Sequence, residues 1–212
     1  MSTFVYMKML EQTPHSYDRG MRILTAGRID RIKREITTSW VGAGQEVLEI
    51  GCGTGTLASM LSQRGARVVG IDVSDSMLAV ARANAPDAEL LHMTAVEIDT
   101  LGPDRFDCVV ATLSLSELSE EEMSHALRAT ADVLKPGGRL VVADEVRPRR
   151  WWKRALASLV RWFLAALTFV LTRSTTRALD GLEARLAGLG MKPVHRETYL
   201  LGTLALVVME KA

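Results

Sequence analysis

Cysteine is almost missing from this chain: only Cys52 and Cys108 occur among its 212 residues. They stand far apart, one in a glycine-rich loop and one in an apolar run, which gives neither a disulfide framework nor a metal-binding spacing. The four histidines (His15, His92, His125 and His195) show no ligand spacing either, so packing and surface roles are expected of them and no metal site is read. An excess of charge of one sign is also lacking, since the formal net charge is +1, and no nucleic-acid partner is indicated. The opening MSTFVYMKML has neither the charged start nor the long apolar run of a signal peptide, so a cytoplasmic protein is expected. Aromatic residues are only 5% of the chain, but apolar residues are 48% and charged residues 24%, the balance of a chain that buries a core.

The average charge hides an asymmetry. Eight of the 26 Lys and Arg, and none of the 25 Asp and Glu, fall between positions 146 and 179. A basic segment carrying Trp151, Trp152 and Trp162 is therefore set into an otherwise acidic chain.

The order of periodicities predicts an α/β fold. Residues 17–36 read as one basic helix, and EVLEI at 46–50 as the first strand, ending in glycines. Residues 54–64 have Leu57, Met60 and Leu61 on one helical face, and the β-branched run 67–71 gives a second strand. Ser74 can cap the next helix; 89–92 is a weak third strand and 106–111 a strong fourth. Ser119 and Glu122 have the capping-box spacing, opening a helix that Lys135-Pro136-Gly137-Gly138 should end in a turn before a fifth strand at 139–144. A helix near 178–189 and strands near 192–199 and 203–209 close the chain. Only three residues separate those last strands, too few for a parallel crossover, so the last should run antiparallel. The expectation is a Rossmann-like, seven-stranded, mostly parallel sheet with helices on both faces. It forms a single domain over 1–212, with a helical cap at 1–40 and an inserted lid at 147–176.

The stretch Val47-Leu48-Glu49-Ile50-Gly51-Cys52-Gly53-Thr54-Gly55 turns a strand into a helix through three glycines, at the strand end where open α/β sheets bind nucleotides. Asp72 ends the second strand, where a carboxylate can accept both hydroxyls of a ribose. The glycines run G-x-G-x-G rather than the G-x-G-x-x-G of dinucleotide folds, and Glu49 before them would repel a phosphate but can bind an amino group.

With Phe106-Asp107 opening the fourth strand and Leu134-Lys135-Pro136-Gly137-Gly138-Arg139-Leu140 before the fifth, these motifs resemble the class I S-adenosylmethionine-dependent methyltransferases over most of the chain. The resemblance implies S-adenosylmethionine as cofactor, with Gly51, Cys52, Gly53, Thr54 and Gly55 lining its methionine end and Asp72 holding the ribose. It puts Val73 and Met77 on one side of the adenine and Thr94 and Ala95 on the other. Thr94 stands where many relatives carry an acid, a departure that bears on the adenine contact. Thr112 ends the fourth strand on the same side. Tyr17, in Ser16-Tyr17-Asp18, resembles the tyrosine that closes over the cofactor in quinone-methylase-like relatives. Its ring could also favour a sulfonium cation, or simply anchor the first helix.

Methyl transfer from a sulfonium needs alignment and exclusion of water more than acid–base machinery, and a general base only for a protonated acceptor. Glu117, Asp144 and Glu145 near the strand ends are base candidates and Arg147 an anion holder; none is assigned as catalytic. Residues 149–173 should carry acceptor specificity. Their uncharged centre, 162–172, is too short for a bilayer span, so the segment reads as a lid or partner-docking helix, or else as an interfacial helix on an anionic membrane.

A narrower resemblance, in Phe4-Val5-Tyr6-Met7-Lys8-Met9-Leu10-Glu11, Tyr17-Asp18-Arg19-Gly20-Met21-Arg22-Ile23-Leu24 and Gly27-Arg28-Ile29-Asp30, is to the corrinoid-protein-associated methyltransferases. It implies a protein-bound cobalt corrinoid as acceptor or neighbour. No D-x-H-x-x-G corrinoid signature is present, so the corrinoid would sit on a partner. A membrane-surface quinone or lipid methylase and a non-catalytic cofactor-binding assembly protein are the other readings.

Overall fold

The structure is a computed structural model that describes residues 14–146, 179 and 181–212. Seven strands, β1 (Glu46–Ile50), β2 (Arg67–Asp72), β3 (Glu89–His92), β4 (Phe106–Thr112), β5 (Leu134–Glu145), β6 (Met191–Tyr199) and β7 (Leu204–Lys211), form one sheet in the order β3-β2-β1-β4-β5-β7-β6. β1 to β5 pair in parallel, and β7 runs antiparallel to both β5 and β6. This is the mostly parallel sheet with an antiparallel last strand that the spacing predicts.

Alternation along the strands makes two cores. Leu48, Ile50, Val109, Ala111, Leu140, Val142, Ala205 and Val207 face α5 (Glu120–Val133) and α6 (Leu182–Gly188). Their neighbours Val47, Cys108, Val110, Val141, Ala143, Leu206 and Val208 face α1 (Pro14–Leu24), α2 (Arg28–Glu35) and α3 (Thr56–Ser62). A strand buried on both faces reads as a continuous apolar run, because successive side chains enter opposite layers. Each fully buried leucine or valine contributes roughly 2 kcal/mol. Between β2 and β3 lies α4 (Asp75–Asn84), with Ser74 accepting from the Met77 amide. The capping box of Ser119 and Glu122 opens α5.

Three boundaries differ from the sequence reading. The single helix expected over 17–36 is two, because Ala26 and Gly27 take left-handed conformations (φ 48° and 72°) and the Gly27 amide donates to the Arg22 carbonyl, closing α1. α3 starts at Thr56 rather than Thr54, behind a left-handed Gly55. The turn expected at 135–138 is absorbed into an irregular opening of β5, where Leu134 pairs with Phe106 and the register shifts before Cys108. The last helix is described only from Leu182, within the expected 178–189. The proposed lid over 147–176 and positions 1–13 of the cap lie outside the described residues. No helix among the described residues is long and apolar enough to cross a membrane.

Candidate functional site

β1 and β4 are neighbours whose onward connections go to opposite sides of the sheet, and a crevice opens at their carboxyl ends. An open cleft of about 230 Å³ occupies this place. Its floor is the glycine turn. The Gly51 and Cys52 amides both donate to the Ile71 carbonyl, which ties the turn to β2. Gly51 has φ 70°, and a Cβ there would stand 2.5 Å from Ser114 Cβ. Gly53 is also left-handed, but a Cβ there would meet no atom within 4 Å; the space above it is open cleft.

Asp72 organises this floor. Its Oδ2 accepts the Gly53 amide at 2.8 Å and its Oδ1 the Ser74 amide at 2.9 Å. A carboxylate oxygen has two acceptor sites, so one per oxygen remains for donors in the cleft. Tyr17, Gly51, Gly53, Asp72, Val73, Met77, Ala95 and Thr112 all line the main cleft. Glu49, Cys52 and Thr54 line a deeper lobe that shares Tyr17, Gly51, Gly53 and Thr112 with it.

Two sequence candidates stand elsewhere. Gly55 does not line the cleft; it lets α3 approach α4, where a Cβ would lie 3.0 Å from Ala81. Thr94 also leaves the wall to Met93 and Ala95, because its hydroxyl and amide both donate to Glu97 Oε2 in a capping box. Thr54, although in the lobe, donates its hydroxyl to Asp18 Oδ2 at 2.7 Å, and Thr56 does the same at 2.9 Å, so the two threonines tie α1 to the glycine turn.

The deeper lobe has an electrostatic peculiarity. Glu49 is only 3% exposed, and its Oε2 has no hydrogen-bond partner among the described residues. Burial raises its pKa to about 8, with Lys33 pulling down and Asp72 pushing up. A buried acceptor left unpaired costs about 1–3 kcal/mol, so the lobe suits a donor that the described residues do not supply. Lys33 on α2 and Asp18 on α1 form the opposite wall, 3.5 Å apart. Burial keeps the neighbouring Cys52 thiol protonated by pushing its pKa up.

The base candidates separate clearly. Glu117 lines the cleft. Asp144 is wholly buried behind it, with Oδ2 accepting the Ser116 amide and Oδ1 the Glu145 amide; burial raises its pKa to about 6. It holds the backbone of the segment after β4 and has no face on the cleft. Glu145 does not line it either, and Arg147 lies outside the described residues. Sequence reasoning passed over Lys33 and Asp18, because their place in the lobe depends on how α1 and α2 pack on the sheet. It also passed over Leu113, whose left-handed φ of 56° turns the chain from β4 toward Ser114. Ser114 donates to the Ile50 carbonyl at 2.8 Å and so closes the floor.

The glycine cradle, the carboxylate at the end of β2 and a buried carboxyl oxygen without a partner among the described residues fit S-adenosylmethionine. Its ammonium suits Glu49 Oε2 and its ribose suits Asp72. A family model described as "methyltransferase domain" matches residues 47–138. The chain is 35% identical over 147 residues to a demethylmenaquinone methyltransferase of Tropheryma whipplei, covering 68% of this chain and 60% of that protein. It is 31% identical over 206 residues to a ubiquinone biosynthesis O-methyltransferase of Ruegeria pomeroyi, covering 91% of this chain and 81% of the relative. Among solved structures, a magnesium protoporphyrin IX methyltransferase of Synechocystis with bound S-adenosylhomocysteine shares the fold. It matches with a TM-score of 0.67 at 20% identity, over 87% of this chain and 82% of that one. On these matches and on the geometry of the cleft, the chain belongs to the class I S-adenosylmethionine-dependent methyltransferases.

Proposed function

We propose that this chain transfers the methyl group of S-adenosylmethionine to a ring hydroxyl or ring carbon of a quinol-type aromatic acceptor. The unpartnered, buried Glu49 Oε2 beside the glycine turn carries the cofactor half of this reading. The names of the Tropheryma and Ruegeria relatives, a demethylmenaquinone methyltransferase and a ubiquinone biosynthesis O-methyltransferase, support the acceptor class. The chain spans only 60% of the Tropheryma protein, and the acceptor of this chain is our inference. The cofactor supplies an activated methyl on a sulfonium whose departure leaves a neutral thioether.

The residues then have positioning roles. Glu49 holds the ammonium, Asp72 the ribose, and Val73, Met77, Met93 and Ala95 clamp the base. Tyr17, on a helix tied to the turn through Asp18, covers the reacting end and keeps water out. Glu117 faces the acceptor space and takes the proton of a phenolic acceptor. The cap at 1–40 and the insert at 147–176 belong to the same domain, and the insert holds the apolar part of the acceptor, at the membrane surface when the quinol is lipid-borne. The protein works on the cytoplasmic side. A second reading, a protein-bound cobalt corrinoid as acceptor, is favoured by the N-terminal resemblance alone.

Calorimetric titration with S-adenosylmethionine, S-adenosylhomocysteine and NADH tests the cofactor. Binding of the two sulfur nucleotides, weakened about 100-fold in Asp72→Ala and absent for NADH, is expected, since each charge-assisted hydrogen bond contributes ~1.5–3 kcal/mol. Binding of NADH would overturn the reading. Assay with short-chain quinols and with a corrinoid protein then separates the acceptors. In the quinol assay Glu117→Gln should lower kcat about 10²-fold with cofactor affinity unchanged. Cofactor binding without any product would leave a binding protein in place of an enzyme.

A further inference from the structure

β6 is an edge strand, and His195, Glu197 and Tyr199 alternate along it, so all three leave the same face. That face meets the last turn of α2, where Arg31 and Glu35 are four residues apart on one side of the helix. One ligand atom each from Glu35, His195 and Glu197 lies within 4.8 Å of the other two, and all three residues are half-buried. His195 Nε2 is closed off from solvent and makes no hydrogen bond among the described residues; Glu35 Oε1, 3.7 Å away, is too far to serve. None of the three lines the cofactor cleft.

Two carboxylates held this close repel. Arg31 reaches Glu197 at 3.5 Å, but its side chain is 56% exposed, and a solvated pair of this kind contributes little. The surroundings are built more firmly. Tyr199 donates its hydroxyl to Glu35 Oε2 at 3.0 Å, fixing one oxygen and leaving the other toward His195. The Trp40 ring lies 5.2 Å from the imidazole and closes one side. Trp40 ends a single π-helical turn, Ile36–Trp40, that begins directly after Glu35; such turns occur often at functional sites.

We propose that Glu35, His195 and Glu197 form a binding site for a divalent transition-metal ion of the zinc class, which pins α2 to the edge of the sheet. An imidazole nitrogen with two carboxylates is a borderline N/O donor set, which suits zinc rather than magnesium or calcium with their all-oxygen shells. Three protein ligands leave a fourth position to water. Tyr199 acts behind Glu35 as the group that orients it, the arrangement usual around metal ligands. Lys33, two residues before Glu35 on the same helix, lines the deeper lobe, so the ion would steady one wall of the cofactor site without touching it.

The test uses the full chain, freed of any affinity tag and stripped with EDTA, titrated with Zn²⁺ against a chromophoric chelator and with Co²⁺ by visible absorption. One equivalent per chain is expected, with the visible bands of low-coordinate cobalt and no thiolate-to-cobalt charge-transfer band, since neither cysteine is a ligand. Zinc should raise the melting temperature of the wild type. Binding should fall at least tenfold in Glu197→Gln and be lost in His195→Ala, while both variants still bind S-adenosylhomocysteine and so report an intact fold. No saturable binding by the stripped wild type overturns the site and leaves the cluster as an ion pair of His195 with Glu35. Undiminished binding by His195→Ala overturns it equally, by placing the ion elsewhere.

Discussion

Two regions of the sheet were built under different constraints. At the carboxyl ends of the interior strands β1 and β2, the cofactor cleft comes from one contiguous stretch, 47–55, and one acid that follows it, Asp72; the Gly53 amide and Asp72 bond each other directly. At the β6 edge, Glu35 meets His195 and Tyr199 across about 160 positions of sequence, and only the packing of α2 brings them together. Local chemistry leaves a motif, because the backbone itself must bend around the ligand. Long-range chemistry leaves none, because any helix and any strand can supply the side chains.

The largest effect should follow from breaking the locally built cleft. Gly51→Ala forces a left-handed residue and a Cβ 2.5 Å from Ser114 Cβ, and should destabilise the protein by ~3 kcal/mol while abolishing cofactor binding. Denaturant unfolding with a parallel titration measures both. Unchanged binding would show that the turn has slack.

Next comes the pH dependence of the cofactor lobe. Glu49 in the free protein has a pKa of about 8, above its ordinary 4.5, and must be ionised to hold an ammonium. Binding below pH 8 therefore releases a proton, and affinity should rise with pH by up to about tenfold per unit and level off above it. For the free protein the sign is opposite. The folded state binds the extra proton between pH 4.5 and 8, so Glu49's contribution to stability falls as pH rises across that window. Titration in buffers of different ionisation enthalpy reads the proton; Glu49→Gln should flatten both dependences.

Asp144→Ala probes the junction between the two regions. It leaves the Ser116 and Glu145 amides unpaired in the interior and should cost ~2 kcal/mol. Because the freed segment carries Ser114, Glu117 and Leu118 on the cleft wall, acceptor KM should rise more than cofactor Kd, and Asp144→Asn should restore part of the loss. The smallest effect is expected at the tether of α1. Asp18→Asn keeps the size of the side chain but weakens the bonds from Thr54 and Thr56, for ~1 kcal/mol, seen as a modest loss of cofactor affinity with little change in melting temperature.

The sequence by itself determined where the first five strands lie along the chain, the antiparallel return of β7 and the carboxylates and glycines of the cleft. Each follows from a local necessity: two-sided burial makes apolar runs, a three-residue connection forbids a parallel crossover, and a backbone that meets a ligand needs glycine. Where local rules competed, the sequence misled. Ala26 and Gly27 ended a helix that apolar periodicity would have carried on, and Lys135–Gly138 became an unpaired bulge inside β5, because Leu134 before it and Arg139 after it both pair with β4. What only the tertiary structure decided is which polar groups are already spent. Thr94 is taken by Glu97, Thr54 by Asp18 and Asp144 by the segment after β4, whereas Glu49 and His195 each keep an atom without a hydrogen bond among the described residues. Availability of a polar atom is set by neighbours in space, and neighbours in space are fixed only when the layers have packed.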